Sequence, residues 1–186
     1  MEEEIKQNRI SLAHSHLSRD RDFSKLDEAE KAFLINGASS FGSETAKELI
    51  AKHDTSDPRK IAEIIGVTVR GEDGGIQGNL IRLSEYREKE GEIVIYRDSL
   101  KVLMRRADED SITLDQPIKL LIAHELFHHL EKERFGPVSE KFKITKKIGL
   151  FSYKKSFKSL NEVAAHAFTQ ALLGLDHSPL IFDYLD

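Results

Sequence analysis

The residues best suited to chemistry lie in Ile122-Ala123-His124-Glu125-Leu126-Phe127-His128-His129-Leu130, which contains His-Glu-x-x-His. On a helix, positions four apart sit about 40° apart around the axis and roughly 6 Å along it. His124 and His128 therefore offer two imidazoles to one point, as the first two nitrogen ligands of a tetrahedral zinc must. Glu125 falls about 100° from His124, where it can address a water beside the metal without being a ligand. Ala123, Leu126, Phe127, Leu130 and Leu120 gather on another side, roughly 200° to 320° from His124. The helix has an apolar back to bury and a titratable front to use. A histidine pair on a surface helix ordinarily does nothing, but here the pair is embedded in apolar sequence and a third ligand follows downstream.

That third ligand lies in Asn161-Glu162-Val163-Ala164-Ala165-His166-Ala167-Phe168. A carboxylate from a separate helix completes a His, His, Glu set and leaves a fourth position for water. Ala164, Ala165, Ala167 and Ala171 are small, so this helix can approach the metal helix closely. Two other readings stand beside this one. Ser159 and Glu162 have capping-box spacing, which would give Glu162 a purely structural task. His166 is four residues from Glu162 and imidazole is a good zinc ligand, so His124, His128 and His166 form an alternative set. His14 and His16 are two apart, a spacing that does not suit chelation from a helix.

Composition bounds the rest. The 186 residues, 39% apolar and 32% charged, describe an ordinary soluble globular chain of one domain. With no cysteine, a zinc must be held by histidine and carboxylate. A net charge of -4 argues against a surface built for nucleic acid, and direct nucleic-acid binding is not expected. The start shows neither a basic n-region nor an apolar h-region, and no apolar run reaches membrane-spanning length, so a cytoplasmic location is expected.

Residues 1–22 read as a polar, mobile or weakly helical lead-in, and 23–186 as one domain. Ser24 is expected to cap a helix that Asn36-Gly37 ends, with a second helix from about Ser43 to Lys52. Asp57-Pro58 opens a short helix closed by Gly66. Residues 67–69, 76–83 and 92–97 are strand candidates, the last two joined by a charged loop over 84–91. They predict a small, mainly antiparallel sheet. A helix follows from Ser99 to about Ala107. Asp115 and Pro117 open the metal helix, about 116–134, and the second ligand helix covers about 159–173. Between them Lys141, Lys143, Lys146, Lys147, Lys154, Lys155 and Lys158 face only Glu140, with Gly149 suggesting a loop or hairpin. This is either a solvated face or a basic lip that steers an acidic partner. Leu180, Ile181, Phe182, Tyr184 and Leu185 give the tail enough apolar surface to dock.

Taken together, Ile122-Ala123-His124-Glu125-Leu126-x-His128-His129 and Glu162-x-x-Ala165-x-x-Phe168 with Leu172-Leu173 resemble the ImmA/IrrE metallopeptidase family. The resemblance covers roughly residues 45 to 174. The family commonly has Asn or Asp where this chain has His166, often Gly at Phe127, and Ala at Thr169. The resemblance implies a compact α+β, zincin-like domain, its active helix packed on a small sheet behind N-terminal helices. It implies one Zn2+ per chain on His124, His128 and Glu162 in a gluzincin-like set, with His166 supporting the ligands. It also implies a regulatory role, cleavage or inactivation of a helix-turn-helix transcriptional repressor.

The residues support a peptidase mechanism in which zinc acts as Lewis acid and Glu125 moves the proton from water to the leaving amine. His129, Tyr96 and Tyr153 are the candidates for a transition-state donor. A second class remains open, a zincin-fold binding or sensing module in which zinc is structural. A di-metal carboxylate bundle needs two Glu-x-x-His sets, and only Glu125-x-x-His128 is present.

Overall fold

The computed structural model describes residues 2–106 and 115–179. It is an α+β protein in which helices carry most of the packing. Helix α1 (Glu2–Leu17) occupies the stretch expected to be a loose lead-in. Ala13 and Leu17 are wholly buried, and the helix packs on two others described below, so its second half contributes to the core. A short α2 (Arg21–Ser24) is capped by Asp20, and Ser24, expected to begin a helix, ends one.

Helix α3 (Glu28–His53) replaces the two helices expected between 24 and 52. Asp27 and Glu30 form a capping box at its start, and Asp54 closes it in the left-handed conformation. In the polar run at its middle, the Ser43 and Thr45 hydroxyls donate to the carbonyls of Ser39 and Phe41. Asn36-Gly37 does not stop the helix because the glycines serve packing instead. A Cβ on Gly42 would run into the backbone carbonyl of Ala164, and one on Gly37 would come 2.5 Å from the Phe142 ring.

Asp57 and Pro58 start α4 (Pro58–Ile64) as expected. Then come β1 (Thr68–Glu72), a two-residue hairpin of β2 (Ile76–Gln77) and β3 (Leu80–Ile81), β4 (Ser84–Arg87) and β5 (Glu92–Tyr96). The main sheet has the order β1-β5-β4. It is mixed, not mainly antiparallel: β1 runs parallel to β5 and β4 antiparallel to it. The long connection through β2, β3 and β4 brings the chain back in the direction of β1. In β5, Ile93, Val94, Ile95 and Tyr96 are all buried, as a central strand requires.

Strand β4 lies in the stretch expected to be a charged loop. Its alternation explains it: Ser84 and Tyr86 turn to one face, Glu85 and Arg87 to the other. On the outer face Arg87 bonds Glu72 and Glu85, so the charges are satisfied across the sheet.

Helix α5 (Arg97–Arg106) follows, and α6 (Asp115–Leu130) carries the His-Glu-x-x-His residues. Ala123, Leu126, Phe127 and Leu130 are buried on its back and Leu120 is half-buried. The helix continues into a wider π-helical turn, Glu131–Phe135. After α7 (Val138–Lys141), strands β6 (Ile144–Ile148) and β7 (Phe151–Lys155) form the hairpin over the lysine-rich segment, with Gly149 at φ 59° in its turn. Two of its lysines have acidic partners outside the segment: Lys146 bonds both carboxylate oxygens of Glu30, and Lys155 bonds Asp22. Helix α8 (Ser159–Leu173) matches the expected range. It packs on α3 along a broad face and on α6. The tail residues Leu180 to Leu185 lie outside the described residues.

Gly42→Ala tests the α3–α8 contact. Alanine gains about 1 kcal/mol of helix propensity over glycine, while overpacking against a backbone that cannot swing aside costs about 1–3 kcal/mol. The net effect should be a lower denaturation midpoint. Gly37→Ala, which meets only a ring, should cost less. A midpoint raised by Gly42→Ala would rule out the close approach.

Candidate metal centre

The first two candidate ligands come from one turn of α6. Nε2 of His124 and Nε2 of His128 lie 3.1 Å apart. Helix α8 supplies the third group: Glu162 Oε2 is 3.3 Å from His124 Nε2, and Oε1 is 3.5 Å from His128 Nε2. Around a tetrahedral zinc with bonds of about 2.0–2.1 Å, ligand atoms stand about 3.3–3.4 Å apart. The two nitrogens and the carboxylate thus already have the spacing of three corners of such a site. Among the described residues, His124, His128 and Glu162 form the one group of this kind, able to hold a metal ion.

Glu162 does not serve as a cap. Helix α8 begins after Lys158 with no side-chain cap, so Ser159 and Glu162 make no capping box. His166 lies one turn further into the core, only 7% exposed, its ring 4.7 Å from that of His124. It flanks the ligand ring and is not one of the converging three. Burial, with His124 nearby, holds His166 well below the ordinary histidine range, so it meets His124 as a neutral ring.

Charge and burial act in opposite senses on the ligands. Burial disfavours a charge on His128, but the carboxylates of Glu131, Glu162 and Glu125 outweigh it and push the imidazole up to about 10. Burial would likewise raise Glu162, yet hydrogen bonds and charge from His124 and His128 hold it far below the usual carboxylate range.

The three groups open onto a cleft of about 430 Å³. Helix α6 lines one side with His124, Glu125 and His128, and the sheet edge lines the other with Arg82, Ser84, Glu85 and Tyr86. Glu125 is buried, 7% exposed, and accepts a 2.7 Å hydrogen bond from the Ser84 hydroxyl. A second cleft of similar size, beside α4, is lined by Arg59, Glu63 and backbone-rich residues 66–69 and brings no such set together.

The three residues expected as transition-state donors lie elsewhere. The Tyr96 hydroxyl donates to Glu85 at 2.8 Å within the outer sheet network. Tyr153 sits opposite Lys146 on the hairpin and is not among the cleft-lining residues. His129 faces β4, its Nδ1 2.9 Å from the Tyr86 hydroxyl. Tyr86 is the tyrosine that lines the cleft. Ser84, Tyr86 and Glu131, which packs behind His128, were not singled out from sequence. The period-two alternation Ser84, Tyr86 was the available signal for the first two. Glu131 had a weaker one, its position three residues after a ligand histidine.

No family model, no curated protein and no solved structure matches this chain. Among the described residues, no helix is long and apolar enough to cross a membrane.

Two measurements test the ligand set. Glu162→Ala should lose zinc far more severely than His166→Ala. A metal-loaded crystal structure with a His166 nitrogen at about 2.0–2.1 Å from the ion, and Glu162 turned away, would reverse the assignment. Zinc must also displace the proton held on His128, so apparent affinity should rise about tenfold per pH unit between about pH 6 and 8 from that proton alone. Affinity independent of pH would contradict the protonated state.

Proposed function

We propose that this protein is a zinc-dependent regulatory endopeptidase of ImmA/IrrE type, acting on a protein substrate. The observation that carries the reading is the convergence of His124, His128 and Glu162 at tetrahedral spacing, with the buried carboxylate of Glu125 beside them in one cleft. Four of the motif residues that resemble the family, His124, Glu125 and His128 on α6 and Glu162 on α8, line this site. The family resemblance alone suggests a helix-turn-helix repressor as the substrate.

The donor set fits zinc. Two imidazoles and one carboxylate, without thiolate, are the ligands of hydrolytic zinc sites that keep a position open. Zinc bound there supplies Lewis acidity toward the scissile carbonyl and water. Glu125 is the general base: it takes a proton from water and returns it to the leaving amine. The Ser84 hydroxyl donates to Oε1 of Glu125 and leaves the other oxygen for the proton transfer. Tyr86, held by His129, supplies a hydroxyl to the oxygen on which negative charge develops. His166 keeps the His124 ring in place and water out from behind it.

Incubation of the zinc-loaded protein with a co-encoded repressor, read by mass spectrometry, tests the substrate class. Glu125→Gln should keep zinc near the wild-type content and abolish cleavage, and loss of the metal in that variant would count against its role as base. Tyr86→Phe should retain zinc and lower turnover by about 10²–10³; full activity would remove Tyr86 from the mechanism. A wild-type protein that binds one zinc and cleaves nothing would favour a binding or sensing module.

A further inference from the structure

Glu131 is a carboxylate only 8% exposed, set at the start of the π-helical turn. A buried carboxylate persists when its oxygens are met by donors or cations. Here Oε1 accepts the backbone N–H of Val138 at 2.9 Å, and Oε2 lies 3.4 Å from Nδ1 of His128. The next amide, Ser139 N–H, donates to Oδ1 of Asn161 at 2.8 Å, and Asn161 directly precedes Glu162. The first two amides of α7 are thus gripped from both ligand helices, one by the side chain behind His128, the other by the neighbour of Glu162.

We propose that Glu131 is a positioning residue that holds His128 with its proton on Nδ1, leaving the Nε2 lone pair aimed at the metal. The proposal rests on the metal reading of His124, His128 and Glu162 and does not depend on proteolysis. Its logic is one of donors and acceptors. An imidazole that ligates through Nε2 carries its proton on Nδ1 and is a donor there. The Val138 amide is a donor as well. A carboxylate accepts from both, whereas a side-chain amide of the same shape can accept from only one and must turn its own N–H₂ toward the other. Position supports this. Residues three apart on a helix are neighbours, which brings Glu131 under His128. The widened turn and Gly136-Pro137 then fold the chain back, so that Val138 reaches the second oxygen.

The opposing view makes Glu131 a structural tie for α7 alone, with His128 an incidental neighbour. Zinc affinity, measured against a chromophoric chelator for wild type and Glu131→Gln, separates the two, together with melting of both proteins without zinc. Positioning predicts zinc binding weakened by about 10–100-fold in the variant. A structural tie predicts a lower melting temperature with zinc affinity unchanged, and that result would overturn the proposal. Nitrogen-15 NMR of zinc-loaded wild type gives a reading that does not depend on the variant folding. His128 should show a proton on Nδ1 protected from exchange, and a bare Nδ1 would also overturn the proposal. If wild type takes up no zinc in the same titration, the metal reading itself fails and this proposal falls with it. Zinc uptake by wild type with an unaffected variant removes only the role of Glu131.

Discussion

To hold a metal ion, the three groups that converge at the centre of this protein would all have to be acceptors. Two imidazole nitrogens stand 3.1 Å apart and a carboxylate sits within 3.5 Å of both. Lone pairs held that close repel, so the arrangement coheres only around positive charge, either a proton or a cation. The shift of His128 upward and of Glu162 downward is the protonic form of that requirement. A divalent metal meets the same need with more charge at the focus, and the neighbouring carboxylates that stabilise the proton would stabilise it too. The rest of the fold has to keep acceptors converging that would otherwise separate.

It does so by fixing α8 against two partners. On one side the Gly42 position of α3 allows the Ala164 backbone to approach. On the other, Phe168 of α8 packs on Phe127 of α6 with ring centroids 5.4 Å apart. Glu162 therefore reaches the histidines from a helix whose position is set by packing over most of its length. Strand β4 completes the cleft with Ser84, Glu85 and Tyr86, while Glu85 and Arg87 also join the ionic network with Glu72 and Tyr96. One short strand thus belongs both to the sheet and to the site.

How much of this is legible from sequence follows from which distances are local. His124, Glu125 and His128 are related by helix geometry alone, so their convergence is readable from spacing. Glu162 is readable as a candidate because it opens an alanine-rich helix, but choosing it over His166 needs the tertiary placement of α8. Residues whose roles depend on packing are read less well. Gly37 looks like a helix stop because glycine often is one, yet in α3 its missing side chain makes room for Phe142. Ser84-Glu85-Tyr86-Arg87 looks like a charged loop because the partners that fix it as a strand, Glu72 and Tyr96, are distant in sequence. The N-terminal stretch looks loose because its apolar residues are sparse, although Ala13 and Leu17 are enough to seat α1. The parallel pairing of β1 with β5 has no local signature at all.

The ligands are unequally exposed, and this bears on how a metal would arrive. The side chains of His124 and His128 are 15% and 22% exposed, whereas that of Glu162 is 42% exposed at the mouth of the cleft. An ion coming from solvent meets the carboxylate first. Because Glu162 is held far below the usual carboxylate range, it is ionised throughout the physiological range and can attract the ion before any histidine proton has left. His128 lies deeper, between the carboxylates of Glu131 and Glu162. The same cleft is lined on its other side by Ser84 and Tyr86 of β4, so the exposed carboxylate of Glu162 and the strand residues face one space.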